Sequence, residues 1–114
     1  MKKKYRLKKN NDFKKVLNSK RIFGDFFNFY YKKNDFEFPR VGISIGKKIA
    51  KANKRNKIKR QLKEIIRDNI CFDKGVDIVI IVKDKYNTND FLKTYKKILE
   101  VLEKIEMRRT DEKI

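Results

Sequence analysis

The stretch KKIAKANKRNKIKR, residues 47–60, sets eight Lys or Arg among fourteen residues, and no carboxylate occurs between Glu37 and Glu64. Ammonium and guanidinium groups massed in this way suit phosphate, whereas a solvated helix face intersperses acids that pair at i, i+4. At about 100° per residue, Asn56, Lys59, Arg60, Lys63 and Arg67 form one cationic stripe along i, i+4, i+7 and i+11. Ile58, Leu62, Ile65 and Ile66 fall on the opposite side. The N-terminus of such a helix offers free backbone N–H groups to phosphate. Lys47, Lys48, Lys51, Lys54 and Arg55 are placed in the loop feeding that end. A polyanion is the partner this pattern asks for; charge alone does not say which.

Other chemistry is largely ruled out. There is no His, so imidazole acid–base catalysis and His-ligated metals are excluded. Cys71 is the lone cysteine, so no internal disulfide or thiolate cluster forms, and beside Ile70 and Phe72 it reads as a small packed apolar residue. The carboxylates are scattered among basic residues; Asp77, Asp84 and Asp90 sit at strand and helix ends, where turns and caps explain them. We expect no catalytic side chain and no protein metal site.

A chain of 114 residues fits one domain, and its 39% hydrophobic content, with nine Phe and five Tyr, supplies a core. The net charge of +18 opposes compaction, and a counter-charged partner relieves it, nucleic acid before an anionic membrane. No window approaches eighteen apolar residues, and MKKKYRLKK runs into polar sequence, so neither a membrane span nor a signal peptide is expected. With one cysteine, the reducing cytoplasm is the expected compartment.

These residues need elements to hold them. NNDFKKVL predicts a helix capped by Asn10 or Asn11, with Phe13, Val16 and Leu17 on one face. DFFNFYYKK (25–33) predicts a strand with Phe27, Phe29 and Tyr31 on one side and Phe26, Asn28 and Tyr30 on the other. FEF (36–38) counts as a short strand before Pro39. RVGISIG alternates Val41, Ile43 and Ile45 against Gly42, Ser44 and Gly46, a small face that permits close approach by something else. After the basic helix, DIVIIVK (77–83) predicts a strand covered on both faces. A last helix, capped by Thr88 or Asn89, turns Phe91, Tyr95, Ile98, Leu102 and Ile105 to the core. The order is α-β-β-β-α-β-α, one α/β domain of two-layer α+β form over 1–114, with residues 1–5 and 108–114 flexible.

RVGISIGKKIAKANKRNKIKRQLKEIIR resembles the protein subunit of bacterial ribonuclease P. That family carries an R-V-G-x-S-[VI]-x-K-K strand and loop, here Arg40–Lys48, then an A-x-x-R-N-R-[IVL]-K-R-x-[IL]-R-E helix, here Ala52–Glu64. RLKKNNDFKKVL and DIVIIVK match its first helix and penultimate strand, so the resemblance covers about residues 6–105. Lys57 stands where the family usually has Arg, which keeps the charge but loses the bidentate fork.

The resemblance implies a mixed four-stranded sheet with a left-handed β-α-β crossover through VGISI, the basic helix and DIVIIV, the opposite of the usual hand. It implies an RNA partner, ribonuclease P RNA, which carries the active site and its Mg²⁺ and removes the 5′ leader from precursor tRNA, no metal being held tightly by the protein. Contacts to that RNA fall on Arg55, Asn56, Lys57, Lys59 and Arg60, with Lys47, Lys48, Lys63 and Arg67 in support. The leader is implied to lie against Phe13, Leu17 and Tyr30. From the residues alone, core packing is the better explanation of Phe13 and Leu17, and Leu17 stands where the family often has an aromatic, which weakens its stacking role. A ribosomal-type RNA-binding protein is the alternative; a membrane-surface protein ranks below both, since the basic helix turns its Ile/Leu face inward.

Overall fold

The computed structural model describes residues 2–86 and 88–109. The apolar run DIVIIVK lies in a strand, β4 (Val76–Val82), with Ile78, Val79 and Ile80 fully buried. On one side of it runs β2 (Phe27–Lys33), antiparallel; on the other runs β3 (Arg40–Ile45), parallel. A three-residue strand, β1 (Lys20–Ile22), extends the far side of β2 and completes a mixed sheet in the order β1-β2-β4-β3. Three helices join it: α1 (Asn10–Leu17), α2 (Ala52–Asn69) and α3 (Phe91–Lys104). The parallel β3–α2–β4 unit is the one the family resemblance implies.

The order α-β-β-β-α-β-α holds, but the short extra strand is KRI of β1, ahead of β2, and not FEF between β2 and β3. Asn34 explains the difference. Its Oδ1 accepts from the Phe36 N–H at 2.8 Å, while its Nδ2 donates to the Phe38 carbonyl at 3.2 Å and to Asp77 Oδ1 at 2.8 Å. Such a side chain replaces ladder bonds with a turn, and the Phe36 and Phe38 rings stack on each other instead.

The sheet has two unequal faces. One carries the main core, in which Phe27, Phe29, Ile78, Ile80 and Val82 meet Ile58, Leu62, Ile65 and Ile66 of α2 and Ile98, Val101 and Leu102 of α3. The other carries a smaller cluster of Leu7, Val16 and Val79, with Phe13, Leu17, Tyr30 and Ile81 half-buried around it. Short α1 is the helix on that side.

Several local expectations are corrected. Lys9 and Asp90 occupy the N-cap positions of α1 and α3, so Asn10, Asn11, Thr88 and Asn89 are not the caps. Phe91 is exposed; Thr94 and Val101 take inward positions on α3, and Tyr95 and Ile105 are half-buried. Lys54 and Arg55 belong to the first turn of α2 rather than to its loop. Phe26 precedes β2 and packs towards the main core, with Lys93 Nζ 5.2 Å from its ring centre. A flexible N-terminus is expected over residues 1–5, yet Lys3–Tyr5 forms a 3-10 turn and Arg6 bridges to Val41 of β3. Leu7 follows, buried, its N–H bonded to the Val41 carbonyl at 3.0 Å. At the other end Arg108 bridges to Ile70, and residues 110–114 lie outside the described ones.

Candidate nucleic-acid interface

Two surfaces meet the chemistry expected from the sequence. The first is α2. Burial of Ile58, Leu62, Ile65 and Ile66 fixes the helix rotation, and that rotation leaves Asn56, Lys57, Arg60 and Arg67 exposed and Lys59 and Lys63 half-exposed. Lys47 and Lys48 stand exposed in the preceding loop. Lys51 at the N-cap makes no side-chain cap bond, and within the first turn Asn53 Oδ1 accepts the Lys54 N–H at 2.8 Å, so this helix end is partly self-capped. Arg55 is partly committed elsewhere, its Nη1 donating to the Ala50 carbonyl at 3.0 Å and so pinning the loop. Arg67 Nε meets Asp68 Oδ1 at 3.3 Å, an exposed pair that a phosphate displaces at little cost.

Charge crowding on this face is visible in Lys63. Desolvation, then the nearby Arg6 and Lys59, hold its ammonium below the usual lysine range. Arg6 is a member that sequence reasoning missed. Its bridge to Val41 brings a cation from the N-terminus against α2, and no spacing in the sequence signals that approach.

The second surface is the half-covered face of the sheet. Registers place Tyr30, Val79 and Gly42 in one row across β2, β4 and β3, with Arg21 of β1 beside Tyr30. Asn28, Ile81 and Ser44 form the next row. Directly paired residues share a face, so this is a shallow apolar floor with polar margins. The Phe13 ring lies against Gly42: a Cβ there would overlap ring atom Cζ and stand 3.0 and 3.1 Å from Cε2 and Cε1. The residue admitted by the small face of β3 is thus Phe13. Phe13, Leu17 and Tyr30 are brought together around Val79, each only half-buried.

An ionic contact adds to the apolar packing of α1. Arg40, first residue of β3, donates from Nε and Nη2 to the two carboxylate oxygens of buried Asp77 at 2.9 and 2.6 Å, and from Nη1 to Asp12 Oδ2 on α1 at 3.4 Å. The Asp77 hydrogen bond is the largest influence raising the guanidinium pKa further above its ordinary value. The fork geometry is one only Arg provides. These two carboxylates are therefore engaged with a cation and do not form a free ligand set. Among the described residues no group of three His, Cys, Asp or Glu could hold a metal ion. Cys71 is half-buried, with its backbone N–H on the Met107 carbonyl at 2.7 Å. No helix among the described residues is long and apolar enough to cross a membrane.

A protein-family model described as Ribonuclease P matches residues 1–106. The chain belongs to the ribonuclease P protein family. It is 38% identical over 107 residues to the ribonuclease P protein component of Mycoplasma mobile, covering 92% of this chain and 93% of that one. It is 37% identical over 101 residues to that of Fusobacterium nucleatum, covering 87% and 91%. Among solved structures, the Thermotoga maritima ribonuclease P protein superposes with a TM-score of 0.77 at 34% identity, covering 87% of this chain and 96% of the other. The Staphylococcus aureus ribonuclease P protein gives 0.79 at 28% identity, covering 92% and 98%. Membership decides between the two readings left open above: this is an RNA-binding subunit of a tRNA-processing endoribonuclease, not a ribosomal-type binder.

Proposed function

We propose that the chain meets ribonuclease P RNA with the cationic face of α2 and holds the 5′ leader of precursor tRNA in the cleft between α1 and the sheet. The observation that favours this division is that the sheet carries a cationic helix on one face and, on the other, the half-buried Phe13, Leu17 and Tyr30 beside α1. On α2, Asn56, Lys57, Lys59, Arg60, Lys63 and Arg67 follow a phosphate backbone, with Lys47, Lys48 and Arg55 at its upper end. Each neutralised phosphate releases counterions, so affinity falls steeply with salt.

In the cleft the unstacked bases of a single strand lie on the half-exposed rings of Phe13 and Tyr30, with Leu17 extending the apolar floor. Stacking of this kind contributes about 1–3 kcal/mol per base and tolerates any sequence. Arg21 stands beside Tyr30 for the backbone. Mg²⁺, bound by the RNA, supplies the hydrolytic chemistry; the protein orients the leader and offsets charge. The chain works where precursor tRNA is made, in the bacterial cytoplasm.

The test is cleavage of a 5′-labelled precursor tRNA by a bacterial ribonuclease P RNA at low Mg²⁺, with and without the protein. Product at the mature 5′ end is expected only with both present. Binding without stimulation would overturn the proposal. Phe13→Ala and Tyr30→Ala should weaken leader-containing tRNA more than mature tRNA, and equal weakening would remove the leader from the cleft.

A further inference from the structure

Beyond the stripe and the cleft, the molecule has a third surface of nucleic-acid character. The 3-10 turn Lys3–Tyr5 lays Tyr5 against Phe72, ring centres 4.7 Å apart and tilted 50°, and edge-on to Phe38 at 5.9 Å. Lys4 Nζ lies 5.0 Å from the Tyr5 ring centre and 5.1 Å from that of Phe38. Beside this group opens a cavity of about 460 Å³ lined by Lys2, Tyr5, Arg67 and Phe72. All three rings are half-buried, while the three cations stay exposed.

We infer that this cavity is a base-binding pocket, which takes an unpaired nucleobase of the RNA subunit at the C-terminal end of the α2 stripe. Three features carry it. An aromatic wall of Tyr5 and Phe72 with Lys2 and Arg67 beside it matches a nucleotide, whose base has a π-face and whose phosphate is anionic. A planar base fits a cavity of this size. Arg67, the last residue of the stripe and one whose acid partner is exposed, is also a wall of the cavity. An RNA backbone followed along α2 therefore arrives at the mouth with its next base able to turn in. The source is the RNA subunit because the pocket continues the α2 stripe, whereas the leader cleft lies across the sheet. The inference adds a fixed end-point to the proposed stripe and rests on α2 meeting the RNA subunit.

The chain contains no Trp, so Tyr5→Trp introduces a single reporter. On titration with the RNA subunit, its emission should be quenched and become shielded from iodide. Tyr5→Ala should weaken RNA-subunit binding roughly 5- to 150-fold, the range for one lost base stack, with an unchanged salt slope because no charge is removed. Tyr5→Phe should bind as wild type. Phe72→Leu keeps apolar volume and should weaken binding too, and melting of each free variant separates a folding defect from a binding one. A reporter that binds RNA with unchanged emission and iodide access would overturn the pocket. So would wild-type affinity in Tyr5→Ala. Failure of the stripe reads differently: Lys59→Ala and Arg60→Ala would then leave the salt slope unaltered, whatever the reporter does.

Discussion

Gly42→Ala tests whether β3 is small there in order to admit the Phe13 ring. The added methyl would overlap Phe13 Cζ and press on Cε1 and Cε2 at 3.1 and 3.0 Å, so either the ring or α1 must shift. The ring is half-buried and can tilt towards solvent, which places the cost at about 1–2 kcal/mol, the lower part of the usual overpacking range. In a domain of this size that is a fall of roughly 4–8 °C in Tm. Phe13→Ala alone loses part of the ring's burial, about 2 kcal/mol for a half-exposed site. With the ring gone, Gly42→Ala should be neutral or should stabilise by about 0.4–1 kcal/mol, because alanine restricts the unfolded chain more than glycine does. The double-mutant cycle, measured by urea unfolding with sulfate present, should therefore show at least about 1 kcal/mol of coupling. Gly42→Ala should also narrow the preference for leader-containing over mature tRNA, since the displaced ring is the proposed stacking surface. Equal costs of Gly42→Ala in both backgrounds would refute the reasoning, because the glycine would then be making room for nothing.

Three shorter predictions concern the charged groups. Arg40→Met leaves the Asp77 carboxylate with Asn34 as its remaining partner and should cost about 3 kcal/mol in urea unfolding, the low end for breaking a buried pair; a loss below about 1 kcal/mol would show that the Arg40–Asp77 pair does not tie β3 to β4. Lys63→Gln should melt higher than wild type at pH 7 yet bind RNA more weakly. Its lysine pKa is lowered in the folded state, so the charged form opposes folding, and the stability gap should close as pH rises from that lowered value towards the ordinary value of about 10.4. A gap that is absent at pH 7, or constant to pH 10, would contradict the lowering of the Lys63 pKa by desolvation and by the nearby Arg6 and Lys59. Arg60→Ala should reduce the slope of log affinity against log salt by about 0.9, and an unchanged slope would mean that Arg60 meets no phosphate.

Patterns of period 2 and period 3.6 carried most of the architecture. The alternation of RVGISIG, the apolar run DIVIIVK and the opposed stripes of α2 each follow from a single element repeating its own geometry, and each was legible. Pairings between distant segments were not. KRI is three residues with two cations, and only the register Arg21–Tyr30 makes it a strand. FEF has strand-like residues but no partner once Asn34 closes its turn. The Asp12–Arg40–Asp77 anchor joins residues far apart in the chain, and so does the approach of Arg6 to Lys63. In the cleft, the small face of β3 announced a close neighbour without naming it. The roles proposed for Phe13, Leu17 and Tyr30, like the expected hand of the crossover, rest on family resemblance, since a half-buried ring in a core and one in a binding cleft leave the same mark on a sequence.

The way the sheet ends has a consequence for colloidal behaviour. Unpaired outer strands are templates for edge-to-edge aggregation, and proteins blunt them by shortening, charging or covering them. Here β1 is three residues long and bears Lys20 and Arg21, while the outer side of β3 is met by Arg6 and Leu7 at Val41. In the free chain a net charge of +18 already keeps copies apart. That repulsion is cancelled whenever polyanions or high salt neutralise the surface, which is the condition in which such a protein works. The guarded edges are then what keeps neighbouring copies from zipping together, and a chain shortened past Leu7 would remain dispersed when alone and precipitate once its charge is masked.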